Sequence, residues 1–298
     1  MNVKKVLKTL YLNTYKTGVY NFIPDLQFVE LQYRAATGKK LNIHDPQTFN
    51  EKIQWIKLYD HNPLYTVFAD KLSVRDYVAD TIGSQYLIPL IGVWNSADDI
   101  IPDLLPNRFV IKNSHDSGGV FICRDKGKFD FESVKKQLKR RMQHNYYYVS
   151  REWGYKNVKP HIIAEELLED KKNGDLRDYK IFCFAGKAMY IQVDFDRFTN
   201  HKRNLYDKDW NCLDLRIKCA NDKSVNIEKP AKLSEMLMLA EKLSYGIPQL
   251  RVDLYLVDDK IFFGELTVYH GGGIEPFYPD SYELEWGKKI DLDLAYRG

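Results

Sequence analysis

Val3, Val6, Leu7 and Leu10 recur at helical spacing, with Lys4, Lys5 and Lys8 between them. A helix is expected over 3–15, packed on its own domain in preference to a membrane surface. Thr48-Phe-Asn-Glu51 has the form of a capping box and predicts a helix running to Tyr59. Asp60-His-Asn-Pro63 stops it, because proline cannot continue the ladder. A second helix is expected over 70–82, closed by Gly83 in the left-handed conformation. The period then changes. Residues 86–94 read as a buried strand and 108–113 as another, with Pro102 and Pro106 in the connection. A strand at 120–123 precedes a helix over 132–144 whose Val134, Leu138 and Met142 face inward. Residues 162–168, 178–185 and 188–193 read as strands, and the turn Ala185-Gly-Lys187 joins the last two as a hairpin. A helix over 233–245 ends at Gly246 and Pro248, and 250–257 with 261–267 form a second hairpin. No repeat or low-complexity tract interrupts this order, which describes an α+β or α/β protein with antiparallel sheet.

Composition narrows the picture. A chain of 298 residues holds one large domain or two ordinary ones. Its 44% hydrophobic and 29% charged residues are those of a globular protein, which sets aside disorder, collagen and coiled coil. A formal charge of +3 does not call for nucleic acid. No apolar run approaches the ~20 residues that cross a bilayer, and the basic start lacks the apolar core of a signal peptide. Cys123, Cys183, Cys212 and Cys219 have no paired spacing, so free thiols in a cytoplasmic setting are expected. Aromatics reach 14%, with 21 tyrosines, and rings with a polar tip suit pockets and interfaces.

Three stretches carry candidate chemistry. In Phe109-Val-Ile-Lys-Asn113, Lys112 sits within an apolar strand and requires an anionic partner. The turn Ser117-Gly118-Gly119 follows, and its N–H groups can approach phosphate oxygens; an edge-strand lysine beside a plain turn is the alternative. In Leu250–Val257 and 261–267, Asp253 and Glu265 are acids among apolar residues. Glu265 and Thr267 share a face, as do Arg251 and Asp253. Oxygen ligands so placed suit Mg²⁺, while a solvated ion pair is the plainer account. Third, Ile162-Ile-Ala-Glu165-Glu166 is a strand running into acids, where strand-end backbone can read a purine and carboxylates can hold a ribose.

Taken in order, these stretches resemble the ATP-grasp superfamily, and in particular its TupA-like branch, associated with teichuronopeptide and other cell-surface polysaccharide synthesis. The resemblance rests on Pro46-Gln-Thr-Phe-Asn-Glu-Lys-Ile-Gln-Trp55, Leu58-Tyr-Asp60, Asn62-Pro63, Asp70-Lys71, Arg151-Glu-Trp153, Asp178-Tyr-Lys180, the stretch Asp196 to Asn204, and Gly264-Glu-Leu-Thr267. It implies an α+β ATP-grasp fold. Residues 1–105 would form a leading region, and 106–298 two subdomains that clamp ATP, a lid of about 106–165 and a C-terminal part of about 166–298. It implies that Lys112 holds the α- and β-phosphates and Lys71 reaches the nucleotide from the mouth of its helix, that Ser117, Gly118 and Gly119 form the lid turn, and that Glu165 and Glu166 begin the hinge. The Glu166 carbonyl and the Leu168 N–H would read adenine. Asp178 would lie at the nucleotide and Lys180 at the γ-phosphate or acyl phosphate. Asp253, Glu265 and Thr267 would ligate Mg²⁺, with threonine where the common pattern has asparagine. Arg251 and Arg203 would assist catalysis, while His115, Arg197, His201 and Asn204 would face substrate. The implied activity is ATP-dependent carboxylate–amine ligation through an acyl phosphate. Its partners would be a uronic-acid-bearing glycan precursor and an amine or amino acid, without nucleic acid, at or near the inner face of a membrane.

Two rivals stand beside it. Asp194-Phe-Asp196 is a DxD, the metal motif of many nucleotide-sugar glycosyltransferases. Thr267 leaves room for a non-catalytic nucleotide-binding protein of a glycan assembly. The basic run Lys135–Arg141 reads as a solvated helix face. Gly271-Gly-Gly273 permits close approach of a substrate or is a plain loop.

Overall fold

The computed structural model describes residues 18–170, 176–195, 202–225 and 227–296. The helix expected over 3–15 lies outside them, as do Asp196, Arg197 and His201. Among the described residues four helices lead: α1 (Asp25–Thr37), α2 (Phe49–Tyr59), α3 (Leu64–Ala69) and α4 (Val74–Thr81). α2 begins as its capping box requires, with Thr48 Oγ1 accepting from the Glu51 N–H and Glu51 Oε2 accepting from the Thr48 N–H. The helix expected over 70–82 starts later. The Asp70 carboxylate accepts from the N–H groups of Leu72 and Ser73, which holds residues 70–73 in a turn. Gly83 closes α4 with φ +112° and ψ 145°, outside the left-handed helical region expected of it.

The first sheet holds β1 (Leu90–Trp94), β2 (Phe109–Asn113), β3 (Val120–Cys123) and β4 (Ile162–Glu165), in the order β1-β4-β2-β3, all antiparallel. β1 is an edge strand with exposed Leu90 and Val93, shorter and less buried than its apolar sequence predicts. α5 (Phe131–Met142) covers the sheet, with Val134 and Leu138 packed among Phe109, Ile111 and Ile162. α6 (Tyr147–Ser150) leads into β4.

The second sheet is built from β5 (Asp178–Phe184), β6 (Lys187–Phe195), β7 (Lys202–Asp207), β9 (Gln249–Val257) and β10 (Lys260–Thr267), in the order β10-β9-β5-β6-β7. Both expected hairpins are present. β7 takes residues read as loop, because Arg203 and Asn204 are buried by pairing rather than by being apolar. α7 (Leu233–Leu243) packs on β5, β6 and β9 through Met236, Leu239 and Leu243, against Ile181, Ile191 and Val252. β8 (Arg216–Ile217) and β11 (Phe277–Tyr278) form a short ribbon. α8 (Ser281–Lys289) inserts Trp286, fully buried, between Phe49 of α2 and Phe182, Phe184 and Tyr190 of the second sheet. Much of the aromatic content is therefore core. All four cysteines are free, and among the described residues no helix is long and apolar enough to cross a membrane.

Candidate nucleotide and ligation site

Alternation builds the second sheet's chemistry. In β5 the residues facing away from α7 are Asp178, Lys180, Phe182 and Phe184, charged at one end and aromatic at the other. Lys180 lies opposite Asp253, and Asp178 opposite Asp194, which in turn faces Arg203. β10 reaches this face by a bulge. Phe263 pairs with Leu254, but Glu265 pairs with Asp253, so the extra residue Gly264 turns Glu265 from the apolar side to the charged side. Thr267 then faces Arg251. A Cβ at Gly264 would meet the Tyr255 ring at 3.0 Å and the Asp253 carbonyl at 3.1 Å, so glycine suits the bulge.

Charge pairing fixes these groups. Lys180 Nζ donates to Asp178 Oδ2 and Asp253 Oδ2, each at 2.5 Å. Arg251 grips Asp253 with Nε at 2.6 Å and Nη2 at 2.8 Å. Burial opposes the Asp253 charge, yet Arg251 and Lys180 hold the carboxyl below the usual aspartate value. Arg251 Nη1 lies 2.9 Å from His270 Nδ1, and burial drives that imidazole down to about 3. A neutral His270 accepts from Arg251 and turns its Nε2 toward Glu275 Oε2 at 3.6 Å. Glu275 Oε2 lies 3.5 Å from Arg203 Nη1, and Arg203 Nε donates to Asp194 at 2.8 Å. Arg203 thus joins Arg251 through a chain of partners.

The cleft between the sheets gathers the remaining cations. Lys112, Glu165, Lys71, Arg75, Gly264 and Glu265 line it. The Asp70 turn places Lys71, whose N–H donates to Ser114 O at 3.0 Å and whose Nζ donates to Asp116 O. Burial pulls the Lys71 ammonium below its ordinary value; Glu265 opposes this and Lys112 adds to it. The anionic partner that Lys112 requires is Glu165, at 2.5 Å. The other Glu165 oxygen accepts from Arg75 at 2.9 Å, and Arg75 also donates to Ile88 O. Glu165 therefore fixes two cations here. Arg75 carries no motif in the sequence that would mark it.

The remaining expected residues fall less centrally. Ser117 and Gly118 are exposed in the turn between β2 and β3, with Gly118 and Gly119 at φ +85° and +66°. Arg141 lies across that turn and pairs with Asp116 at 2.7 Å. His115 is buried beneath, its Nε2 3.3 Å from Arg141 O. The Glu166 N–H donates to Pro89 O at 3.0 Å, and Leu168 follows half-buried. Asn204 uses its side chain on both backbone groups of Asp222, at 2.8 and 2.9 Å, and so braces a loop. In the DxD, the Asp194 carboxylate accepts from Arg203 and Gln192.

Glu265 is open to the cleft, with Arg251 Nη2 at 4.0 Å. The Thr267 hydroxyl is buried without a hydrogen-bond partner. These two donors fit a magnesium ion, which is bound by one or two carboxylates with phosphate and water completing the shell. Asp253 fits by sharing an oxygen now held by Lys180 or Arg251. Among the described residues no three acidic, histidine or cysteine side chains converge as a ready-made metal cage.

Two antiparallel sheets facing a common cleft, one lending a lysine and a glycine turn, the other carboxylates and cations, define a nucleotide clamp of the ATP-grasp type. The chain belongs to the TupA-like ATP-grasp family, whose profile matches residues 51–291. None of the curated proteins searched matches it. Among solved structures it is similar to the D-alanine–D-alanine ligase of Bacillus anthracis, at 14% identity over 84% of this chain and 72% of that one, TM-score 0.43. It is also similar to the N5-carboxyaminoimidazole synthetase of Staphylococcus aureus, at 13% identity over 77% and 51%, TM-score 0.42. Against the ATP-grasp ligase PsnB the identity is 11% over 73% of this chain, TM-score 0.39, and the chain spans only 58% of that protein's length.

Proposed function

We propose that the protein is an ATP-dependent carboxylate–amine ligase. One observation carries this reading: Lys71 and Lys112 line the same cleft as Glu265, whose strand neighbours are the Asp253–Lys180–Arg251 cluster. Lys112 and Lys71 hold the nucleotide phosphates, and the Ser117–Gly119 turn covers them. The Glu166 carbonyl and Leu168 N–H read adenine. Lys180 and Arg251 face the transferring phosphoryl group, where positioning and fixed charge supply most of the rate. A substrate carboxylate oxygen attacks the γ-phosphorus and ADP departs; the amine nitrogen then attacks the acyl carbon and phosphate leaves. Glu265, Thr267 and Asp253 would hold magnesium, which neutralises phosphate charge when bound. The division into a leading region, 1–105, and a clamp, 106–298, belongs to this proposal, although β1 joins the first sheet from before residue 106. The carboxylate is proposed to be a uronic acid of a surface-glycan precursor, met by Arg203 and by the stretch that holds Arg197 and His201.

A second reading, a non-catalytic nucleotide-binding protein, draws on the engagement of Asp253 by two cations. Thermal shift with Mg-ATP, Mg-ADP and UDP-sugars tests both, since a ligand at ~100 times its Kd adds about 2.7 kcal/mol. The ligase reading expects adenine nucleotides alone to stabilise the protein and ADP to be released with a uronic acid and an amine. Stabilisation by UDP-sugars instead would favour the DxD; binding of ATP without ADP release on any such pair would favour the second reading.

A further inference from the structure

Beyond the cleft lie two buried charges that the chemistry above does not use. Lys57 comes inward from α2, 2% exposed, and its Nζ donates to Gly272 O at 2.6 Å. Glu152, 8% exposed, follows α6 and accepts from Ser150 Oγ at 2.8 Å. Each turns to a neutral partner instead of to the other. Gly272 sits between them. A Cβ built on it would meet Glu152 Oε1 at 3.6 Å and Lys57 Nζ at 3.8 Å, so the absent side chain leaves a gap with an anion on one wall and a cation on the other. The loop is held in place: Gln54 Nε2 donates to the carbonyls of Gly272 and Gly273, at 2.9 and 2.7 Å. Gly272 follows Thr267 by five residues, in the loop that leaves β10.

Opposite charges buried this close without joining are a costly arrangement. Burial lowers Lys57 to about 8 and raises Glu152. An ordinary core would join them directly or replace both with apolar groups. A zwitterion carrying its ammonium and carboxylate on one carbon relieves both at once, and does so over a residue that presents no side chain. We propose that the gap over Gly272 is the amine-donor site and takes a free α-amino acid, its ammonium held by Glu152 and its carboxylate by Lys57. The inference rests on the ligase reading and names the amine substrate of that same site.

The test is thermal shift on the full chain with the magnesium complex of β,γ-imido-ATP, to which each of the proteinogenic amino acids is added in turn. Alanine is compared with ethylamine, and serine with ethanolamine. The expected result is a further upward shift with at least one amino acid and none with the simple amines. Lys57→Met and Glu152→Gln should each weaken that amino-acid binding at least tenfold while keeping the nucleotide shift. The inference is overturned if no amino acid adds to the nucleotide shift, if simple amines act equally, or if both variants respond as wild type. Should either variant fail to fold, the wild-type comparison of amino acid with amine decides alone. If the nucleotide itself gives no shift, the ligase reading fails and this inference falls with it; a nucleotide shift without an amino-acid response sinks the inference only.

Discussion

The Lys57 ammonium has an ordinary value of 10.5 and a folded value of about 8, because burial disfavours its charge. Between those values the unfolded chain binds the proton and the folded chain does not, so stability rises with pH across that window. Below pH 8 the charged, buried form is a standing cost. Lys57→Met should therefore melt higher than wild type at pH 7, by something on the order of 1–3 kcal/mol, with the difference shrinking toward pH 10. Melting curves at pH 7 and pH 9.5 check this; a variant that melts lower at pH 7 would mean the Gly272 hydrogen bond outweighs the burial. Lys112 behaves differently. Because Arg75 also holds Glu165, Lys112→Ala should keep its fold while ATP affinity drops by roughly 10- to 100-fold, the scale of one or two charge-assisted contacts. Calorimetric titration reads it, and unchanged affinity would make Lys112 purely structural. That Lys112 needs an anion is legible from one cation in an apolar strand. That Glu165 supplies it is not, because the two meet diagonally across β2 and β4.

Among elements, the second sheet shows where sequence patterns carry and where they stop. Period-two alternation alone puts Arg251 on one face with Asp253, and Glu265 on one face with Thr267. The bulge at Gly264 is invisible in that pattern, since a bulge is a property of two strands in register, and it decides whether Glu265 faces core or cleft. β7 escapes for another reason: Arg203 and Asn204 are buried by their partners, which hydropathy does not weigh. Lys180 tests the element directly. Lys180→Met leaves the buried Asp178 and Asp253 without their shared ammonium, and should cost about 3–5 kcal/mol. Adding Asp178→Asn should recover much of that stability and none of the turnover. Recovery of both in the double variant would show that Lys180 serves the fold alone. The His270 chain gives the sheet an acid limit. An unfolded histidine titrates at its ordinary 6.5 and His270 only at about 3, so stability should fall as pH drops below 6.5. The depressed Asp253 adds a further loss below its ordinary 3.8. His270→Gln should flatten the first part of that decline, as read from chemical melts between pH 7 and 4.5.

For the whole molecule, two sheets with separate cores meet across a cleft in which Glu165 holds Lys112, with Lys180 held nearby by Asp178 and Asp253, while Lys71 turns to the Asp116 carbonyl. If Lys112 and Lys180 hold phosphate as proposed, binding would be an exchange of partners, phosphate for carboxylate. The leading helices take part, since α2 carries Gln54 and Lys57 to the Gly272 loop and the turn before α4 carries Lys71 to the cleft. The capping box of α2 announces the helix. The use of its inward polar residues depends on the glycine loop beneath them, more than 200 residues further along the chain, and local sequence carries no sign of it. In the proposed ligase a carboxylate is activated by the γ-phosphate. The most direct measurement supplies ATP, magnesium, an amino acid and a uronic acid labelled with ¹⁸O in its carboxylate, then follows both nucleotide product and label. The ligase mechanism predicts ADP as the product, ¹⁸O in the inorganic phosphate, and loss of both with Glu265→Gln. Release of AMP, or phosphate free of ¹⁸O while amide forms, would contradict it.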